Sequence, residues 1–153
     1  MIIRKAEMTD VENMLDMGEA MHRESVYSFM MFSWDKSRAL IQWIIEHSRL
    51  GETFAAVAEK RGAGLVGMMG AYQSEHWFSH DPICSDYLLY VMPEHRGSFA
   101  ALGLLMAYQE WALKTSAKLI TAGVSASVDA GPIIDFYKSR GFKDFGVTLR
   151  LEV

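Results

Sequence analysis

Apolar positions along the chain recur at two spacings, every second residue and every third or fourth, and the switches between them divide it into elements. Residues 2–6 alternate like a short strand. Thr9 or Asp10 suits an N-cap and Glu12 a first turn; Val11, Met14, Leu15 and Gly18 then share one helical face, to about Glu24. Residues 25–34 are aromatic and aperiodic and predict a loop. Helical spacing returns over 35–49 through Leu40, Ile41, Trp43, Ile44 and Ile45, and Gly51 ends it. Strands are predicted at 54–59 and 65–73 around the turn Lys60-Arg61-Gly62-Ala63-Gly64, which makes a hairpin. The polar, histidine-containing residues 74–82 predict a loop, and 83–91 a further strand. A long helix to about Ser116 sets Leu102, Leu105, Met106 and Leu113 near one face. Residues 118–124 predict a strand, 132–140 a helix whose first turn suits Pro132, and 142–153 a last strand or hairpin. Strand, two helices, three strands, helix, strand, helix, strand is the order of a mixed α/β layer architecture.

The junction at Val91-Met92-Pro93-Glu94-His95-Arg96-Gly97-Ser98-Phe99-Ala100-Ala101 carries the most chemistry. An apolar strand stops at a proline, a basic turn of small residues follows, and the long helix opens at once. The first turn of a helix presents N–H groups without intrahelical partners, and with the helix dipole they attract phosphate. Gly97, Ser98, Ala100 and Ala101 let a ligand approach that backbone closely. Arg96 adds a fixed positive charge. The segment reads as a pyrophosphate cradle, although it has neither G-x-x-x-x-G-K-[ST] nor G-x-G-x-x-G.

With Val91, Pro93, Arg96 and Ala101 in place, the junction resembles the acetyl-CoA signature of the GNAT superfamily of N-acyltransferases, roughly V-x-P-x-x-R/Q-x-x-G-x-G/A. Phe99 replaces a glycine of that pattern, so its ring must point away from the ligand. About forty residues on, Phe136-Tyr137-Lys138-Ser139-Arg140-Gly141-Phe142 is similar to the family's FYxxxGF ending. The family often carries an asparagine seven residues before the tyrosine, where Ala130 stands here.

The resemblance implies a central, mixed, mostly antiparallel sheet flanked by helices on both faces. It implies acetyl transfer from acetyl-CoA to a primary amine by direct attack. The backbone of Arg96, Gly97, Ser98, Phe99, Ala100 and Ala101 would hold the pyrophosphate. The strand at Leu89 and Val91 would pair with the pantetheine arm and polarise the thioester carbonyl. Tyr137 would protonate the departing thiolate, and His22 and Glu24 would face the acceptor at the end of the first helix. A general base is expected on the strand before the cradle, where Asp86 is the candidate; Glu75, His76 and His80 form a second group, and positioning alone is a third route. A CoA-binding or interaction module without activity, and a nucleotide-binding protein using the same cradle, remain alternative readings.

Composition narrows the partners. At 153 residues, half of them apolar, the chain is expected to form one domain spanning 1–153 with an ample core. A net charge of −4 argues against a general nucleic-acid binder. No apolar run reaches membrane-span length, and no signal-peptide pattern follows the first residues. With Cys84 as the one cysteine, a cytoplasmic protein is expected. The five histidines show no metal-ligand spacing, so no metal is expected. Tyr27, Phe29, Phe32 and Trp34 suit an acceptor wall, core or the contact of a homodimer.

Overall fold

The computed structural model describes residues 1–124 and 130–151. Five strands, β1 (Ile2–Lys5), β2 (Thr53–Lys60), β3 (Gly64–His76), β4 (Ser79–Val91) and β5 (Leu119–Thr121), form one sheet in the order β1-β2-β3-β4-β5. All neighbours are antiparallel except β4 and β5, which run parallel. Four helices complete the fold: α1 (Val11–Glu24), α2 (Trp34–Ser48), α3 (Phe99–Lys114) and α4 (Gly131–Ser139). The mixed, mostly antiparallel sheet expected from the family resemblance is therefore present.

Side-chain alternation along the strands separates two apolar layers. Ala55, Val57, Met68 and Tyr90 pack against Val11, Met14 and Met17 of α1 and Ile44 and Ile45 of α2. Phe54, Ala56, Ala58, Val66, Met69, Ala71 and Val91 face Leu104, Leu105, Tyr108 and Ala112 of α3, together with Tyr137 of α4. The helices thus cover both faces.

At Gly67 β3 leaves no room for a side chain beside β4. A Cβ built on Gly67 would lie 2.9 Å from the Tyr90 carbonyl oxygen and 3.2 Å from Val91 Cγ2. A backbone oxygen cannot yield as a side-chain tip can, so Gly67→Val should destabilise the protein by about 1–3 kcal/mol through overpacking. Urea denaturation measures this directly; unchanged stability would mean the strands open at this point without penalty.

Three expectations are corrected. The predicted loop at 74–82 is the far end of a long hairpin: β3 and β4 stay paired to His76 and Ser79, and exposed Trp77 and Phe78 form its tip. Cross-strand pairing overrides the polar composition there. The predicted strand at 118–124 is three residues long, because the chain leaves β4 after Thr121. Of the strand or hairpin predicted at 142–153, residues 142–151 form no strand despite alternating Phe145, Val147, Leu149 and Leu151, all strongly exposed, and 152 and 153 lie outside the described residues. A strand needs a ladder, and the nearby sheet edge is the short β5; Gly146, at φ +74°, also breaks the extended run. Asp10 holds the N-cap position of α1, but its carboxylate serves Arg4 at 2.7 and 2.9 Å and the Glu7 N–H at 2.8 Å rather than capping the helix.

Candidate active site

The site begins where β4 and β5 part. They pair from Ile83–Leu119 to Ser85–Thr121 and no further. β4 continues to Val91 along β3, and its other edge has no strand partner there among the described residues. A β-bulge lies at the parting: Gly70 pairs with Leu88 and Ala71 with Asp86, so Tyr87 is the extra residue. Tyr87 turns to the α2 side, its ring 4.6 Å from Tyr72. Without that residue Asp86 would share a face with Leu88 and Tyr90. With it, Asp86 faces α3 and α4, on the side of Tyr108 and Tyr137.

Asp86 and Tyr137 line one cleft of about 960 Å³, with Ser85, Thr121, Gly123 and Gln109. The Gly123 N–H donates to Asp86 Oδ1 at 2.8 Å, across the gap between the parting strands. Burial pushes the Asp86 carboxyl above its usual range, and the Gly123 hydrogen bond only partly opposes this. Burial, then the Asp86 charge, raises the Tyr137 phenol, keeping it protonated at neutral pH. The Tyr137 ring is wedged between Phe136 and Phe142, with centroids at 5.6 and 5.4 Å. Tyr108, fully buried in the α3 layer, anchors β5 by donating to the Thr121 carbonyl at 2.8 Å.

At the other end of β4 the turn before α3 has an open face. Met92 N–H bonds the Val66 carbonyl, so strand alternation turns the backbone polar groups of Leu89 and Val91 to the open edge, where the Val91 carbonyl accepts from Arg96 Nε at 3.1 Å. The residues flagged for the cradle divide by what their amides already do. Arg96 N–H bonds Pro93, Ser98 N–H bonds His95, and Ala100 N–H bonds the Ser98 hydroxyl. The N–H groups of Gly97, Phe99 and Ala101 have no such partner among the described residues. Gly97, at φ +75°, makes the reversal that a side chain would resist. The Phe99 ring lies along the helix over Gly103, beside Ile3, rather than over the first-turn amides. The departure from the family pattern at Phe99 therefore leaves the amides uncovered.

Glu24 and His22 do not converge. The Glu24 carboxylate binds Arg96 Nη2 at 2.5 Å and accepts from the Tyr90 hydroxyl at 2.8 Å. Burial alone would raise its pKa, but the bonds from Arg96 and Tyr90 carry it below the usual carboxylate range. His22 packs on Phe32 at 5.4 Å, and its Nε2 is buried without a partner among the described residues. Glu75, His76 and His80 lie on the hairpin arm, where His80 pairs with Glu75 at 2.8 Å; none of the three lines the cleft. Cys84 is fully buried beside Thr115, with its thiol pKa raised by burial, so its thiolate is scarce. Sequence reasoning missed Tyr90, Thr121 and Gly123. Tyr90 falls in the strand predicted at 83–91, but nothing in the sequence tied it to Glu24, 66 positions away.

A sequence model of the Acetyltransferase (GNAT) family matches residues 17–142. The chain belongs to the GNAT acetyltransferase family. Solved structures agree on the fold over nearly the whole length. A probable acetyltransferase is 21% identical with TM-score 0.76, covering 100% of this chain and 99% of its own. The structure of AAC(6')-Iy in complex with a bisubstrate analogue, CoA-S-monomethyl-acetylneamine, is 14% identical with TM-score 0.78, covering 99% of this chain and 97% of its own. An aminoglycoside acetyltransferase, meta-AAC0020 from an uncultured soil metagenomic sample, in complex with sisomicin, is 17% identical with TM-score 0.71, covering 99% and 95%. No curated protein sequence matches the chain. As a GNAT acetyltransferase the protein is an enzyme of acetyl transfer, and among its described residues no helix is long and apolar enough to cross a membrane.

Proposed function

We propose that this GNAT protein transfers the acetyl group of acetyl-CoA to the primary amine of a small cationic acceptor. The observation that carries the reading is the open edge of β4, with a phosphate-competent turn at one end and the Asp86–Tyr137 cleft at the other. From Asp86 to Val91 is about 17 Å of strand at roughly 3.3 Å per residue, a span suited to an extended pantetheine arm. The free N–H groups of Gly97, Phe99 and Ala101 would take the pyrophosphate at the start of α3. The backbone of Leu89 and Val91 would pair with the arm and polarise the thioester carbonyl through an N–H.

The amine nitrogen would attack the thioester carbon and form the C–N bond. Asp86, directly or through water, would take the proton that the ammonium must lose. The tetrahedral intermediate would collapse by breaking the C–S bond, with Tyr137 donating its proton to the thiolate and regaining one, through water, from the nitrogen as the amide forms. A crevice of about 410 Å³ beside α1, lined by Asp16, Glu19, Glu24, Arg23 and Trp34, supports a cationic acceptor, because carboxylates outnumber the one guanidinium. The structural neighbours with neamine-derived and sisomicin ligands point the same way.

Acetyl-CoA at 100 times its Kd should stabilise the fold by about 2.7 kcal/mol. For a chain of this size that raises the melting temperature by roughly 5–10 °C. A panel of di- and polyamines, aminoglycosides included, should then show amine-dependent release of CoA thiol. An unchanged melting curve with no calorimetric heat would overturn the acetyl-CoA assignment. Binding without turnover on any amine would favour a CoA-binding module.

A further inference from the structure

Glu24 sits at an unfavourable place. It is the last residue of α1, where the helix dipole repels a carboxylate. The offset comes from the phosphate turn: Arg96 Nη2 reaches Glu24 Oε2 at 2.5 Å while Arg96 Nε donates to the Val91 carbonyl at 3.1 Å. Tyr90 holds the other Glu24 oxygen at 2.8 Å, and the Arg96 guanidinium lies 5.7 Å from the Tyr90 ring centroid. The one cation of the turn is thus bound to a carboxylate of the protein, so an arriving phosphate meets it already paired.

The pair is weakly committed. The side chains of Arg96 and Glu24 are 50% and 41% exposed, and ion pairs that open to water contribute little net free energy. A pyrophosphate offers the same guanidinium more charge and more acceptor oxygens, and charge-assisted bonds to Arg are the stronger kind. Exchange of partner is therefore inexpensive. It also has a consequence on the other side of the sheet. Glu24 is the point from which residues 25–33 leave α1, with Tyr27, Phe29, Met30 and Met31 exposed on that loop, and Glu24 also lines the acidic crevice with Asp16 and Glu19.

We propose that Glu24 is an internal stand-in for the phosphate of CoA: it occupies Arg96 until CoA binds, and its release leaves an unpaired carboxylate in the lining of the acceptor crevice and frees the 25–33 loop. The charge that the acceptor meets is then set by whether CoA holds Arg96. This rests on the acetyl-CoA reading above and adds coupling between the two substrate sites.

The test is calorimetric titration of CoA into wild type and Glu24→Gln, with hydrogen exchange of residues 22–33 followed in both. Gln keeps the shape and removes the competing charge. CoA should bind Glu24→Gln about 2- to 5-fold more tightly, the worth of one exposed pair. Exchange over 22–33 should rise on adding saturating CoA to wild type and should already be raised in the variant without CoA. Equal or weaker CoA binding by a folded Glu24→Gln, or wild-type exchange in 22–33 that CoA leaves unchanged or slows, overturns the proposal while leaving acetyl-CoA as substrate. A wild type that gives no heat with CoA overturns both. The wild-type exchange measurement decides the matter even if the variant fails to fold.

Discussion

Tyr137→Phe should lower the turnover number by about 10²–10⁴-fold, the range for loss of a positioned general acid. The substitution deletes one oxygen. The ring contacts to Phe136 and Phe142 and the burial that hold it (Tyr137 is 5% exposed) remain, so the fold and the cleft should be retained. CoA affinity, measured by calorimetry, should stay within about twofold, because the pyrophosphate and pantetheine contacts proposed on β4 and α3 do not involve this hydroxyl. The split matters more than the size: a fall in kcat at saturating acetyl-CoA with unchanged CoA affinity identifies an interaction made only on the way to the transition state. If kcat is retained, the thiolate leaves to solvent and Tyr137 is a packing residue of the α3–α4 layer.

Asp86→Asn should lower kcat/KM by a comparable factor, about 10²–10⁴-fold, and should also change the shape of the pH profile. In wild type the rate should rise with pH on a limb set by Asp86, above the ordinary carboxylate value of about 3.9, because burial favours the neutral acid. Asn keeps the acceptor for the Gly123 N–H and cannot titrate, so the limb should vanish. Stability should move the opposite way. The folded pKa is raised above the unfolded one, so the fold is favoured while Asp86 is neutral, and that advantage is lost as pH climbs from the unfolded value through the folded value. At pH 7 the variant, free of a half-buried charge, should be at least as stable as wild type by denaturant midpoint. Wild-type kinetics in Asp86→Asn would move the base elsewhere, and a sharp loss of stability would make Asp86 a strut across the splayed strands.

How far the sequence alone reached follows from which interactions are local. Helices α1, α2 and α3 and the β2–β3 hairpin announce themselves through periodicity and turn residues within a few positions of each other. The cradle was legible for the same reason, as a strand end, a turn and a helix start in eleven consecutive residues. What stayed hidden depends on pairing between distant segments. The bulge at Tyr87 exists only as a register difference between β3 and β4, yet it decides the face of Asp86. The strand pattern of 142–153 promised a ladder that no neighbour supplies to 142–151 among the described residues. Arg96 was recognisable as a cation near phosphate, whereas its partner Glu24 lies 72 positions earlier. Composition suggested a loop at 74–82 because polar side chains say little about whether a backbone has found a mate.

The deep burial of Cys84 has a practical side. Every productive turnover proposed here liberates one small-molecule thiol, and the most direct way to watch it is a chromogenic disulfide that exchanges with any thiol in reach. The chain's single cysteine lies behind α3, fully covered and short of thiolate, so native enzyme should remain silent to such a reagent. The colour would then count product alone, and a delayed signal appearing only in denaturant would report unfolding with the same probe.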